Sequence, residues 1–346
     1  MPELLIHPGF PKAASTTLQT QLFGSHPDMR FITPHQKARV DKGSGSEESI
    51  MLRYIVRGLD VDRFFDCKRS NRRNDPSGGS NALMQLDECH RGIFAKFCDT
   101  GRLNVFSDET LLMPFRCMIS PAELPERVRY LTDSPDTRCR VLIIVRNQAD
   151  LMHSFYAQKS PKLHPIRGSR SISDYYFDSS GRLREDEQTT TFDFNTMVRA
   201  WERAFGIESV SVLLFEDIRF DPGLFSMRLS QILGVASGAV EEALLPENAK
   251  RVGAKVSGAY EVELGEPLPG YLRAARKAAH TLMPDALFRK IQSKARRIRK
   301  RSITVPEFEP WQKTAIMERF QPGNIEFAQR HGIDKAAMVR FGYARA

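Results

Sequence analysis

Four short apolar runs punctuate the first two thirds of the chain: Leu4–His7, Leu103–Ser107, Val141–Val145 and Val210–Phe215. They are continuous rather than alternating, which suits strands covered on both faces of a parallel sheet. Between them the apolar spacing becomes helical. Ser15–Phe23 puts Leu18 and Leu22 on one face, with a hydroxyl cap expected at its start and Gly24 as its stop. Ala149–Gln158 sets Leu151 and Phe155 one turn apart, and Phe194–Phe205 and Pro222–Leu233 follow the same rule, ending at Gly206 and Gly234. Alternation of strand and helix predicts a doubly wound α/β core with a parallel sheet.

Two stretches break the alternation. Residues 36–101 are polar and mixed, with a Gly/Ser/Asn-rich loop at Asn74–Asn81, and read as a helical insertion. From about 260 to 346 only helical patterns are read, including a last helix around Pro310–Arg319, which predicts a C-terminal helical cap. The expected organisation is one domain, with its core in about 1–35 and 102–235.

Composition narrows the class. With 346 residues, 41% hydrophobic and 27% charged, the chain matches a folded globular protein. Leu4–His7 is too short for the core of a signal peptide or a membrane span. Five cysteines, Cys67, Cys89, Cys98, Cys117 and Cys139, form no CxxC pair and no metal-ligand spacing with histidine. They read as reduced, inert thiols of a cytoplasmic protein, with no metal site expected. The net charge of +9 is local: eight Lys/Arg and no acid lie between Arg289 and Arg301, and the remainder is nearly neutral. That run suits an anionic acceptor or a membrane surface. It carries no interleaved aromatics, so stacking on nucleic-acid bases is not supported.

The segment His7-Pro-Gly-Phe-Pro-Lys-Ala-Ala-Ser-Thr-Thr17 lies between the first strand and the first helix. Small residues there let consecutive backbone N–H groups face an anion, three hydroxyls can donate to its oxygens, and Lys12 adds a mobile charge. An ATP-magnesium loop needs Gly-Lys-Ser/Thr in that order. Here Lys12 precedes Ser15 by three positions and no hydroxyl follows it directly. A second anion signal follows the run Val141–Val145: Arg146, then Asp150 and Ser154 at helical spacing. An arginine fork beside a hydroxyl suits a phosphate monoester, and the end of a parallel strand is where such folds bind ligands.

These two segments resemble the nucleotide-binding motifs of sulfotransferases that use PAPS (3'-phosphoadenosine-5'-phosphosulfate). Phe10-Pro-Lys-Ala-Ala-Ser-Thr-Thr-Leu-Gln19 is similar to the 5'-phosphosulfate loop, and Arg146, Asp150 and Ser154 match the spacing of the 3'-phosphate motif. The resemblance implies a P-loop-like fold. It also implies that Lys12 stabilises the leaving group, that Ala13, Ala14, Ser15, Thr16 and Thr17 hold the 5'-phosphosulfate, and that Arg146 and Ser154 hold the 3'-phosphate. Arg251, next to Lys250, lies where many members place a basic loop over that phosphate. Leu18 stands where cytosolic members carry Trp, and Leu-Gln is closer to bacterial and glycan-directed members. Gln148 replaces a common proline. The likeness extends through Trp201–Gly206, Val210–Asp217 and Leu229–Val235, which are packing features.

Transfer needs a base near the acceptor. His35, Glu109 and Asp108 are rival candidates, each in a loop after a short apolar run, while His7 and His153 flank the motifs and are read as shaping the loops. The resemblance leaves the acceptor open among a glycan, a glycolipid, a small metabolite and a protein tyrosine, and leaves the oligomeric state open too. Two other classes share parts of the pattern: a P-loop-type nucleotide kinase, and a non-catalytic basic adaptor for RNA or an anionic membrane.

Overall fold

Leu4, Leu5 and Ile6 are fully buried, and so are Val141 to Val145, as strands packed on both faces must be. In a computed structural model, described for residues 1–10, 13–32, 91–108, 111–112, 122–167, 171–244, 260–265 and 300–345, all four sequence-predicted runs are strands. They are β1 (Glu3–His7), β3 (Leu103–Ser107), β4 (Arg138–Val145) and β5 (Val210–Leu214). A fifth strand, β2 (Met29–Ile32), occupies one edge, giving a sheet of order β2-β3-β1-β4-β5 in which every described pairing is parallel. The core is therefore a parallel α/β sheet flanked by helices.

The order fixes where ligands can bind. The connection leaving β1 crosses towards β2, and the one leaving β4 crosses the other way, towards β5. β1 and β4 are neighbours. The crevice between their carboxyl ends is thus the switch point of the sheet, where open α/β folds take their ligands.

Helices cover this sheet largely as the spacing predicts. The helices Phe194–Phe205 and Pro222–Leu233 begin and end where the apolar pattern puts them. Each is capped by an aspartate, Asp193 accepting from the Thr196 N–H and Asp221 from the Leu224 N–H. Buried Phe194, Val198 and Trp201 face inward from the first, and Phe225, Leu229 and Leu233 from the second.

Three expectations change. The first helix opens as Ser15–Thr17 but continues as a π-helical turn, Leu18–Phe23. Gly24 closes it by donating to the Gln19 carbonyl at 3.1 Å. A Cβ there would stand 2.8 Å from that oxygen, so the stop is a close approach rather than a left-handed turn. The last helix extends to Pro310–Arg330 through Pro322, because Ile316, Phe320 and Phe327 keep one face buried beyond the predicted end. The C-terminal region is not helical throughout. β6 (Tyr260–Gly265) and β7 (Lys300–Val305) pair antiparallel, so Lys300 and Arg301, the end of the basic run, lie in a strand. Strict alternation in Tyr-Glu-Val-Glu-Leu and β-branching in Ile303-Thr-Val305 favour a pleated ribbon. Residues 36–90 of the expected insertion and residues 266–299 lie outside the described residues; 93–97 form one 3₁₀ turn.

The chain divides into two compact units: Met1–Leu151 with Leu183–Lys250 and Lys313–Ala346, and Met152–Arg182 with Arg251–Gln312. The first contains the parallel sheet. The second contains the ribbon and an aromatic cluster of Tyr156, Tyr175 and Tyr176, in which the Tyr176 hydroxyl donates to the Met152 carbonyl at 3.1 Å.

Candidate functional site

The loop after β1 is anchored from below. Phe10 is buried and meets the Phe194 ring edge to face, at 5.2 Å between centroids. Ala13 is fully buried and donates its N–H to the Phe10 carbonyl at 3.2 Å. The next residue, Ala14, has φ 59°, making it the one non-glycine with positive φ among the described residues. A left-handed alanine costs about 1–2 kcal/mol, and strain of this kind collects at ligand-binding turns. Ala14 is also the N-cap of the helix that follows and supplies no side-chain cap. The expected hydroxyl cap is therefore not made, because Ser15 is the first helical residue. Instead, a left-handed residue stands immediately before the helical residues, the backbone sequence from which anion-binding nests are built. Ser15 is buried and Thr16 and Thr17 continue the turn. Lys12 lies outside the described residues.

Beneath the loop sits His7, at the end of β1 and fully buried. Its Nδ1 is 2.7 Å from Ser107 Oγ at the end of β3, and Gln19 Nε2 donates to the same oxygen at 2.9 Å. Gly9 is required for this stacking. A Cβ there would stand 2.8 Å from His7 Cε1 and 3.2 Å from both His7 Nε2 and Ser15 Cβ. Burial lowers the His7 pKa to about 4, so the ring is neutral at physiological pH. Asp108 follows at the same sheet edge, buried, its N–H bonded to the His7 carbonyl at 3.2 Å.

The second signal stands on the neighbouring strand. Ile6 of β1 is level with Val141 of β4, and β4 continues to Val145. At about 3.3 Å per residue, Arg146 is carried past the end of β1, to the height of the loop. Its guanidinium lies over the Phe215 ring, 4.9 Å from the centroid. Behind it, Glu216 accepts from the Asn147 N–H at 2.9 Å and the Tyr343 hydroxyl at 2.8 Å. Burial raises the Glu216 pKa, and these two hydrogen bonds and the Arg146 charge pull the other way.

Asn147 is a residue the sequence reading missed. Besides its N–H bond to Glu216, its Oδ1 accepts from the Asp150 N–H at 3.2 Å, capping the helix Gln148–Arg167. Its Nδ2 donates to the Phe341 and Gly342 carbonyls, both at 2.9 Å. One side chain thus joins the strand end, the next helix and the C-terminal segment. Asn three positions before Asp at a predicted helix start was the available signal. Gln148 has its own partner, a reciprocal amide pair with Asn324 at 2.7 and 3.2 Å.

Among the sequence candidates, the loop residues Ala13 to Thr17, Asp108 and Arg146 all belong to the first unit, at or beyond the carboxyl edge of its sheet. Ser154 belongs to the second unit, buried on the helix Gln148–Arg167. His153, beside it, faces the Val305 carbonyl at 3.3 Å within that unit. His35, Glu109, Lys250 and Arg251 lie outside the described residues, as do Arg289 to Arg299. Burial pushes the Cys98 thiol up to about 11 and that of Cys139 up to about 12, so both are protonated and poor nucleophiles at neutral pH. Among the described residues, no group of three or more His, Cys, Asp or Glu is arranged to hold a metal ion. No described helix is long and apolar enough to cross a membrane.

No sequence-family model matches the chain. No curated protein matches it either. Among solved structures, it is similar to a sulfotransferase from Alicyclobacillus acidocaldarius, at 15% identity and a TM-score of 0.46, over 97% of this chain and 98% of that one. It is also similar to the sulfotransferase domain of the Synechococcus PCC 7002 olefin synthase, at 14% identity and a TM-score of 0.35, over 79% and 82% of the two chains.

Proposed function

We propose that this chain transfers the sulfuryl group of PAPS to an acceptor hydroxyl or amine and releases 3',5'-bisphosphoadenosine (PAP). The observation that carries the reading is the placing of two segments of different chemistry, each suited to an anion, after adjacent central strands. A turn with a left-handed Ala14 and three hydroxyls follows β1, and an arginine lying over Phe215, its charge felt by Glu216, follows β4. A nucleotide with phosphate-type groups at both its 5' and 3' positions answers to both.

In this mechanism the loop Ala13 to Thr17 binds the 5'-phosphosulfate and Arg146 takes the 3'-phosphate. The acceptor oxygen or nitrogen forms a bond to sulfur as the bridging S–O bond to the 5'-phosphate breaks. The released electron pair stays on the phosphate of PAP, stabilised by Lys12. The acceptor proton passes to a carboxylate or imidazole, for which Asp108, Glu109 and His35 are the candidates. Equatorial oxygens carry the spreading charge, and preformed donors in the loop stabilise it without reorganising.

Two measurements test this. Titration calorimetry with PAP in the presence of a chelator should show binding, whereas a kinase of the same fold would need magnesium and ATP. Incubation with PAPS and a panel of hydroxyl and amine acceptors should release PAP. In that assay Lys12→Ala should lower turnover on the order of a hundredfold, the loss of one transition-state donor. Wild-type turnover by the alanine variant, or a strict need for magnesium-ATP, would overturn the assignment.

A further inference from the structure

His7 is a buried titratable group that the mechanism above leaves unused, and its hydrogen bonds are compatible with a proton on Nε2. Gln19 Nε2 lies 2.9 Å from Ser107 Oγ and also faces the Ser107 carbonyl at 3.4 Å. A carbonyl only accepts, so the amide is oriented with its NH₂ towards Ser107, and Ser107 Oγ is the acceptor. With its own proton still available, the Ser107 hydroxyl, 2.7 Å from His7 Nδ1, can donate to that nitrogen. An imidazole that accepts at Nδ1 and is neutral carries its proton on Nε2. That Nε2 is buried and has no hydrogen-bond partner in the protein.

An unmade bond at a buried donor costs about 1–3 kcal/mol, so such a group calls for a ligand. Its surroundings say which. The atom lies 3.2 Å from the point where a Gly9 side chain would begin, and Ser15 Cβ lies at the same distance from that point. It therefore lies beneath the loop, packed so closely against Gly9 that a side chain there would not fit. Nearby carbonyls already accept protons: His7 O from Asp108, Phe10 O from Ala13 and Ala14 O from Leu18. An Nε2–H beneath the loop therefore lacks an oxygen acceptor.

Resting on the sulfuryl-transfer reading, we propose that His7 is a further binding residue of the anion loop, donating its Nε2–H to an oxygen of the 5'-phosphosulfate. Gln19 and Ser107 act as positioning residues that hold the ring in this tautomer. A neutral donor adds a directed hydrogen bond to the anion without adding a charge.

The experiment uses PAP and adenosine 3'-monophosphate, which lacks the 5' group, as calorimetric probes against wild type, His7→Asn and His7→Gln. Asparagine keeps a polar atom near the Nδ1 position and removes the outer donor; glutamine puts an amide N–H near the Nε2 position. His7→Asn should weaken PAP roughly tenfold or more, the loss of a hydrogen bond to a charged group, and leave adenosine 3'-monophosphate unchanged. His7→Gln should restore PAP binding to within about threefold of wild type. Equal effects on both nucleotides, or none on either, would overturn the assignment of His7 while leaving the donor reading intact. A wild type that binds neither nucleotide would take down both. Should the variants fail to fold, nitrogen-15 spectra of the wild-type imidazoles decide: the His7 Nε2–H signal shifts with PAP and not with adenosine 3'-monophosphate. A signal that ignores PAP sinks the proposal.

Discussion

Arg146 lies within electrostatic reach of a buried carboxylate, Glu216. Glu216 receives the Asn147 N–H and the Tyr343 hydroxyl, and the Arg146 charge opposes the rise in its pKa that burial causes. The same arginine rests on Phe215, so its fork is held before any ligand arrives. Replacing Arg146 with alanine should weaken PAP by roughly 2–5 kcal/mol, the cost of leaving a desolvated charge without its partner. Calorimetry showing wild-type affinity would put the 3'-phosphate elsewhere. His7 sets a separate test, in acid. The unfolded chain takes a proton on this ring below pH 6.5, while the folded chain refuses it until about pH 4. The unfolded state binds more protons in that window, so stability is unpenalised above it and falls as pH drops through it. The loss reaches about 3 kcal/mol below the folded pKa. Denaturant melts at pH 7 and pH 4.5 should show a larger loss for wild type than for His7→Gln. Equal losses would mean that the ring is not held neutral.

At the scale of elements, what was legible depended on whether the signal was local. The helices Phe194–Phe205 and Pro222–Leu233 are legible to the residue, since apolar face and terminal glycine lie within one segment. The four buried runs are legible as strands for the same reason. β2 is not, because four residues carry too little pattern without their partner β3. The reach of Pro310–Arg330 past Pro322 depends on burial contributed by distant segments, which no local rule contains. Within the loop, residue types lead to the expectation of an anion site, but the left-handed Ala14 and the absence of a hydroxyl cap are not legible, since alanine rarely adopts that conformation. That conformation gives the element its own prediction. Ala14→Gly relieves the strain and pays back part of it as freedom in the unfolded chain, for a net gain of about 0.5–1 kcal/mol. Thermal melts should show a small rise for glycine and a fall for Ala14→Val, whose branched side chain tolerates positive φ least. A destabilised glycine variant would mean that the Ala14 methyl packs too well to give up.

Across the whole molecule, charge is the most uneven property. Eight Lys/Arg without an acid between Arg289 and Arg301 account for nearly all of the net +9, while the sheet that carries both anion segments belongs to an almost neutral remainder. On the proposed reading, PAPS is recognised by local groups in that remainder: the loop after β1, an imidazole donor and single cations. These act at hydrogen-bond range and need no long field. A concentrated basic run acts differently, attracting anions over about a Debye length, roughly 8–10 Å at ordinary salt. The two should therefore be separable. We assign the run to recruiting an anionic acceptor, on charge alone, and its outcome can be stated for one variant. Changing Arg296, Arg297, Arg299 and Lys300 to glutamine should raise the acceptor KM on the order of tenfold at low salt. The affinity for PAP should not change, and the salt dependence of the acceptor KM should flatten, because the charges being screened are gone. If acceptor kinetics match wild type at both low and high salt, the run is a solvated surface that serves solubility, and acceptor capture falls to short-range contacts alone.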